Sequence, residues 1–283
     1  MLSLRTLLLL GRTSNLPTVW SNCLAGWWLG GGGNVYRLLP LLVGATLLYL
    51  GGMFLNDAFD ARFDAQHRRE RPIPSGAIPV KAVWQIGFGM LAAGLVMLFY
   101  FGLTTGILGV LLVGCILLYD AVHKVITLSP ILMAGCRFLL YVIAASTGVA
   151  GVTGWAVWCG LAMAAYIVGL SFLARKESTG AGANYWPVFF LLVPIYLAVL
   201  MNVNGYRSNA WLLSTVLGLW LARSLRCAFM AAERNIGRTV SNLLAGIVLV
   251  DLLAVLDISR GFALIFIALF LLALLFQRFV PAT

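Results

Sequence analysis

The chain reads as all-α, a polytopic membrane bundle of nine or ten transmembrane helices. Three observations lead there. The first is composition: 62% of the 283 residues are apolar and 10% charged, with a mean hydropathy of +0.99. A soluble domain carries roughly 25% charged residues, and so few charges cannot cover a water-facing surface. Lipid must therefore be the solvent for most of the chain. The second is a series of apolar runs, each near the ~20 residues that cross about 30 Å of hydrocarbon. The third is a one-sided distribution of basic residues between those runs.

The runs fall at 16–32, 37–56, 81–102, 105–121, 130–150, 153–174, 185–203, 209–231, 238–257 and 261–279. The first is short and the eighth carries Arg223 and Arg226, which leaves nine spans as open as ten. Connections such as 101–104 and 150–153 imply antiparallel helical hairpins. The whole of 1–283 is expected to form one transmembrane domain. Residues 1–10 are apolar but short, and Arg12 follows without a cleavage signal. They read as an interfacial lead-in and not as a signal peptide. The run Gly30–Gly33 follows no strand and precedes no Lys-Ser/Thr, so it is the end of the first span and not a phosphate loop. Cys23, Cys115, Cys136, Cys159 and Cys227 lie singly in apolar runs, as buried thiols do. Trp20, Trp27, Trp28, Trp155, Trp158, Trp186 and Trp211 fall near span ends, as an aromatic belt does.

With the N-terminus in the cytoplasm, the loops divide the 19 Lys and Arg residues unevenly. Arg37, Arg207 and Arg260 fall outside, Arg137 falls within a span, and all the others are cytoplasmic. The positive-inside rule selects that orientation. It also accounts for the net charge of +10 without nucleic acid, since the basic residues are spread over loops and form no basic domain. Arg137 and Asp251 lie inside spans, where an unpaired charge is costly. Asp120 and a bound anion are candidate partners for Arg137.

Four of the nine carboxylates lie close together at the end of the second span, in Asn56-Asp57-Ala-Phe-Asp60-Ala-Arg62-Phe-Asp64, with Glu70 just beyond. Asn56, Asp60 and Asp64 stand at i, i+4 and i+8, and Asp57 is three residues from Asp60, so one helical face carries them all. Like charges at that spacing repel, and at a membrane boundary they need pairing. Arg62, Arg68 and Arg69 offer one solution, a solvated helix end. Mg²⁺ offers another, since it keeps several waters and bridges one or two carboxylates to a substrate phosphate. An EF-hand is disfavoured because the bidentate Glu at its twelfth position is missing.

The Asn-Asp-x-x-Asp-x-x-x-Asp pattern, followed by Arg71-Pro72-Ile-Pro74-Ser75-Gly76, resembles the first aspartate-rich motif of UbiA-type intramembrane prenyltransferases. Arg12-Thr-Ser-Asn15-Leu-Pro17-Thr-Val-Trp-Ser-Asn22 is similar to that family's first-helix signature. Tyr119-Asp120-Ala-Val-His123-Lys124 stands where the family has a Tyr followed by a Lys. The resemblance implies a helical bundle with a polar cavity open to the cytoplasm and laterally to lipid. It also implies Mg²⁺-assisted transfer of an isoprenyl group from its diphosphate to an acceptor. On that likeness Asn56, Asp57, Asp60 and Asp64 hold the metal, and Asp57, Asp60, Asp64 and Lys124 are catalytic. Asn22, Arg71, Tyr119, Arg175 and Lys176 contact substrate. The partners implied are a prenyl diphosphate, a hydrophobic or aromatic acceptor and membrane lipids. Such chemistry suits this setting, because fixed cations and a metal stabilise a developing diphosphate best where water is scarce.

The pattern breaks after the sixth run, where the family has a second aspartate-rich motif. Here Tyr166–Gly180 contains no aspartate and only Glu177 is acidic. The chain thus resembles a divergent branch, of the kind encoded in bacterial ebo clusters. Arg175 and Lys176 can stand in for a second metal as fixed cations, or Glu177 can support a weaker one. A third reading is a relative that no longer ionises diphosphates and serves as a lipid-binding, carrier or assembly protein. A secondary transporter fits less well, because the acids cluster at a span end and not at the midplane.

Overall fold

The structure is a computed structural model that describes residues 4–179, 185–201, 208–229, 235–255 and 259–281, the side chains of 176–179 and 208–209 excepted. Among the described residues every regular element is helical. A short helix α1 (Leu4–Leu10) and a 3-10 turn at Thr13–Asn15 precede α2 (Leu16–Leu29). Then come α3 (Leu38–Phe59), α4 (Ala61–His67), α5 (Val80–Phe99), α6 (Leu103–Val122), α7 (Ser129–Ser146) and α8 (Gly154–Thr179). The remainder forms α9 (Trp186–Leu191), α10 (Val193–Leu200), α11 (Ser208–Phe229), α12 (Ile236–Ala254) and α13 (Arg260–Phe276). Following packed neighbours, the chain runs α2, α3, α5, α6, α7, α8, α12, α13 and returns to α2.

Seven of these helices are long and apolar enough to cross a membrane, so the protein is an integral, multi-pass membrane protein. The other three expected spans are shorter. Helix α2 has 14 residues, about 21 Å at ~1.5 Å per residue, and α13 has 17. The run at 185–203 is broken in two. Pro194 follows Val193 and has no N–H to offer Phe190, and the Leu192 N–H is shared at 3.3 Å between the Val188 and Phe189 carbonyls. The first run ends at Leu29 because Gly31, Gly32 and Gly33 take positive φ. All five cysteines are free thiols. Trp27 is the exception to the belt: it is 3% exposed and packs against Phe262.

Small residues set the closest approach. A Cβ on Gly51 would lie 2.9 Å from the Gly87 carbonyl oxygen, so α3 and α5 touch through their backbones. A polar network sews α2, α7 and α12 together in the interior. The Arg137 guanidinium donates to the Thr18 carbonyl (3.1 Å), Thr18 Oγ1 (3.0 Å) and Asn22 Oδ1 (2.7 Å). Asn22 Nδ2 in turn donates to both oxygens of Asp251 (2.9 and 2.8 Å), and Ser21 Oγ donates to Asp251 Oδ2. Arg137 is therefore answered by α2 and, through Asn22, by Asp251. Asp120, one of its two expected partners, is bonded elsewhere.

Candidate active site

The carboxylate face forms because the helical bond pattern runs through the α3–α4 junction. The Asp60 N–H donates to the Asn56 carbonyl (3.0 Å) and the Asp64 N–H to the Asp60 carbonyl (2.9 Å). Asn56, Asp57, Asp60 and Asp64 are consequently aligned and buried, at 5, 6, 8 and 2% exposure. Their neutralisation differs from the solvated-end reading. The partners among the described residues are Arg12, Arg71, His123 and Lys124, not Arg62, Arg68 or Arg69.

Arg71 Nη1 reaches Asp64 Oδ2 at 2.9 Å and Asp57 Oδ1 at 3.3 Å. It is aimed by the segment that follows it. The Ser75 N–H bonds the Arg71 carbonyl, the Ala77 N–H bonds the Pro72 carbonyl, and Gly76 turns at φ 76°. Ile78, 1% exposed, then seats the loop in an apolar cluster with Leu10, Phe54, Ala58 and Val83.

Arg12 supplies a second cation, with Nη2 3.3 Å from Asp57 Oδ1 and 3.4 Å from Asn56 Oδ1. Among the described residues it is the only non-glycine with positive φ (39°), a conformation that costs of order 1 kcal/mol. Tyr49 OH and the Asn15 N–H both donate to its carbonyl and hold the turn. Burial pulls the Arg12 guanidinium down, but the neighbouring charges, Asp57 first, outweigh it and raise its pKa above the ordinary value.

Asp60 faces the other way. Its Oδ1 lies 2.7 Å from Lys124 Nζ and 3.4 Å from His123 Nε2. Burial pushes its carboxyl up, yet the bonds from His123 and Lys124 prevail and hold it below the usual carboxylate range. Lys124 also sits 3.7 Å over the Phe63 ring. Tyr119 stacks on His123 with centroids 5.1 Å apart. Asp120 Oδ1 accepts from Asn56 Nδ2 at 3.0 Å, which brings a further carboxylate to the cluster.

Of the residues expected at the site, Asn56, Asp57, Asp60, Asp64, Arg71 and Lys124 come together, and Tyr119 abuts them through His123. Asn22 does not join them: its amide is spent on Arg137 and Asp251 and it is fully buried. Arg175 Nη1 lies on the carbonyls of Ile126 and Thr127 (2.9 and 2.7 Å) and on Ser129 Oγ (3.3 Å). The side chains of Lys176 and Glu177 lie outside the described residues. Arg12 and His123 were not singled out from the sequence as site residues. Arg12 reads there as one more cytoplasmic cation, and only its place at the head of the first-helix signature marks it.

Among the described residues no three His, Cys, Asp or Glu side chains converge as a ready metal cage. The donor set nevertheless suits Mg²⁺. Its oxygens are hard, and Asp64 Oδ1 is buried without a hydrogen-bond partner. Mg²⁺ needs only one or two carboxylates when waters and substrate oxygens complete its shell. The residues thus fit a hydrated ion whose shell is completed from outside the protein, not one enclosed by it.

Comparison with known proteins bears on the family and the fold. The family model for the UbiA prenyltransferase family matches residues 15–190. A digeranylgeranylglyceryl phosphate synthase from Sulfolobus acidocaldarius is 37% identical over 82 residues, which is 29% of each chain. The matched stretch thus spans under a third of that relative's length. Several solved structures share the fold, two of them UbiA homologs. A UbiA homolog from Aeropyrum pernix superposes with a TM-score of 0.65 at 15% identity, covering 84% of this chain and 94% of that one. A UbiA homolog from Archaeoglobus fulgidus bound to GPP and Mg²⁺ gives 0.55 at 16% identity over 97% of both chains. The chain belongs to the UbiA prenyltransferase family.

Proposed function

We propose that the protein transfers an isoprenyl group from a prenyl diphosphate to a lipid-soluble acceptor, hydrophobic or aromatic, with residues 1–283 acting as one unit. The observation that carries this reading is the interleaving of acids and cations at one end of the bundle. Asp57, Asp60 and Asp64 each hold a cation that also suits a phosphate oxygen. Mg²⁺, held by Asn56, Asp57, Asp60 and Asp64, would supply charge neutralisation to the leaving diphosphate. Arg71, Lys124 and Arg12 then turn from carboxylate to diphosphate oxygens, so the site exchanges partners without leaving charges bare. Tyr119 and the apolar helix faces shield the allylic cation from water. With this end at the cytoplasmic face, the tail stays in the bilayer while the diphosphate sits at the wet boundary.

The test is Mg²⁺-dependent release of pyrophosphate by the purified protein in lipid, with prenyl diphosphates of several lengths and a panel of acceptors. Asp60→Ala and Asp64→Ala should abolish turnover. Tight binding with no turnover over the whole panel would instead identify a lipid-binding or carrier relative.

A further inference from the structure

The antiparallel packing of α7 on α8 brings the end of α8 to the start of α7, and with it Arg175 to the loop that follows α6. Backbone bonds to the Val122 and Ile126 carbonyls turn that loop, but its side chains are open. Val125 is 83% exposed and Leu128 58% exposed. Yet it carries His123 and Lys124, the two groups on Asp60. Arg175 Nη1 caps the Ile126 and Thr127 carbonyls and contacts Ser129 Oγ. Ser129 Oγ in turn donates to the His123 carbonyl at 3.2 Å. Hydrogen bonds thus lead from α8 to the His123 backbone, whose side chain and that of Lys124 sit on Asp60.

We propose that Arg175 is a positioning residue that clamps residues 123–129 and thereby holds His123 and Lys124 against Asp60. The end of α8, where the family has its second aspartate-rich motif, acts on the site through this loop and not by contacting diphosphate itself. Charge is what the position needs, since a cation can satisfy several carbonyls at a loop end at once. The proposal rests on the diphosphate reading only for its consequence, and the two are separable by experiment.

Two measurements on the full-length protein in lipid nanodiscs test it. Hydrogen exchange reports the loop whatever the site binds. Arg175→Ala should speed exchange of the amides of 125, 126 and 129 about ten-fold or more while leaving α12 unchanged, and Arg175→Lys should restore part of the protection. Ser129→Ala should act in the same direction, and it serves if Arg175→Ala does not fold. The second measurement is the affinity for inorganic pyrophosphate with Mg²⁺. Arg175→Ala should weaken it about five-fold in the native background and under about two-fold beside Lys124→Met, because the two residues share one path. Equal losses in both backgrounds would place Arg175 on the diphosphate and overturn the proposal, as would unchanged loop exchange in both alanine variants. A faster-exchanging loop in a protein that binds no pyrophosphate would uphold the clamp and remove the diphosphate reading.

Discussion

Replacing Arg71 with Ala tests how the acidic face is neutralised. Among the described residues Arg71 is the single cation on Asp64, at 2.9 Å, and one of two on Asp57. Asp64 is 2% exposed and its Oδ1 already has no partner, so the substitution leaves a buried carboxylate bare. Removing one member of a buried pair costs about 3–5 kcal/mol. The Arg71 side chain is 18% exposed, which admits some water and puts the loss at the lower end, about 3 kcal/mol. For a domain approaching this size that corresponds to a fall of about 6–12 °C in the unfolding midpoint. The exposed Arg68, with no acidic partner among the described residues, is the control, and Arg68→Ala should shift stability by under ~0.5 kcal/mol. Mg²⁺ then gives the opposite sign. In Arg71→Ala Asp64 is free and Asp57 keeps only Arg12, so Mg²⁺ at a hundred times its Kd should return about 2.7 kcal/mol, more than it gives the intact protein, where it must displace Arg71. The assay is thermal unfolding in detergent micelles with and without Mg²⁺. A midpoint no lower than that of Arg68→Ala, or an equal Mg²⁺ response in both proteins, would refute the reasoning.

Other predictions follow from the same contacts. Arg137→Met should destabilise by about 1–3 kcal/mol, since it leaves the Thr18 carbonyl and Asn22 Oδ1 short of a donor in the interior, and Mg²⁺ should not rescue it; thermal unfolding reads both. Gly51→Val should cost about 1–3 kcal/mol or more, because its side chain meets the Gly87 carbonyl, whereas Gly89→Ala, inside α5 with open space around it, should stabilise by up to about 1 kcal/mol. Asp60 contributes to acid stability. Because its folded value is depressed, its stabilisation is complete above the unfolded carboxylate value and is lost as pH falls below about 4. In the metal-free protein Lys124→Met should flatten that acid-side fall in a pH series of unfolding midpoints, while leaving the range above pH 6 without a slope from this group.

Much of the fold and part of the site were legible from residues alone. The spacing of Asn56, Asp60 and Asp64 requires one face in any helix, and the junction at Asp60 preserves the helical bond pattern on which that inference depends. Lys124 and Arg71 were legible through the family likeness. Arg12 was not, because its side chain meets Asp57 across 45 positions of sequence and only the docking of the first turn on α3 brings them together. Asn22 stayed open for the complementary reason: an amide in a span suits a cavity wall and an interhelical bond equally well. Which one it makes depends on α7 and α12 placing Arg137 and Asp251 beside it.

Composition and periodicity by themselves determined that this is a helical membrane protein with its acids gathered at one span end, since hydropathy and helical spacing are properties of neighbouring residues. Tertiary structure alone decided how those acids are answered: Arg12 and Arg71 on Asp57, Arg71 on Asp64, His123 and Lys124 on Asp60, and Arg175 on the loop carbonyls. The physical reason is reach. A charge attracts any opposite charge that packing brings within a few ångströms, and packing depends on which helices lie side by side.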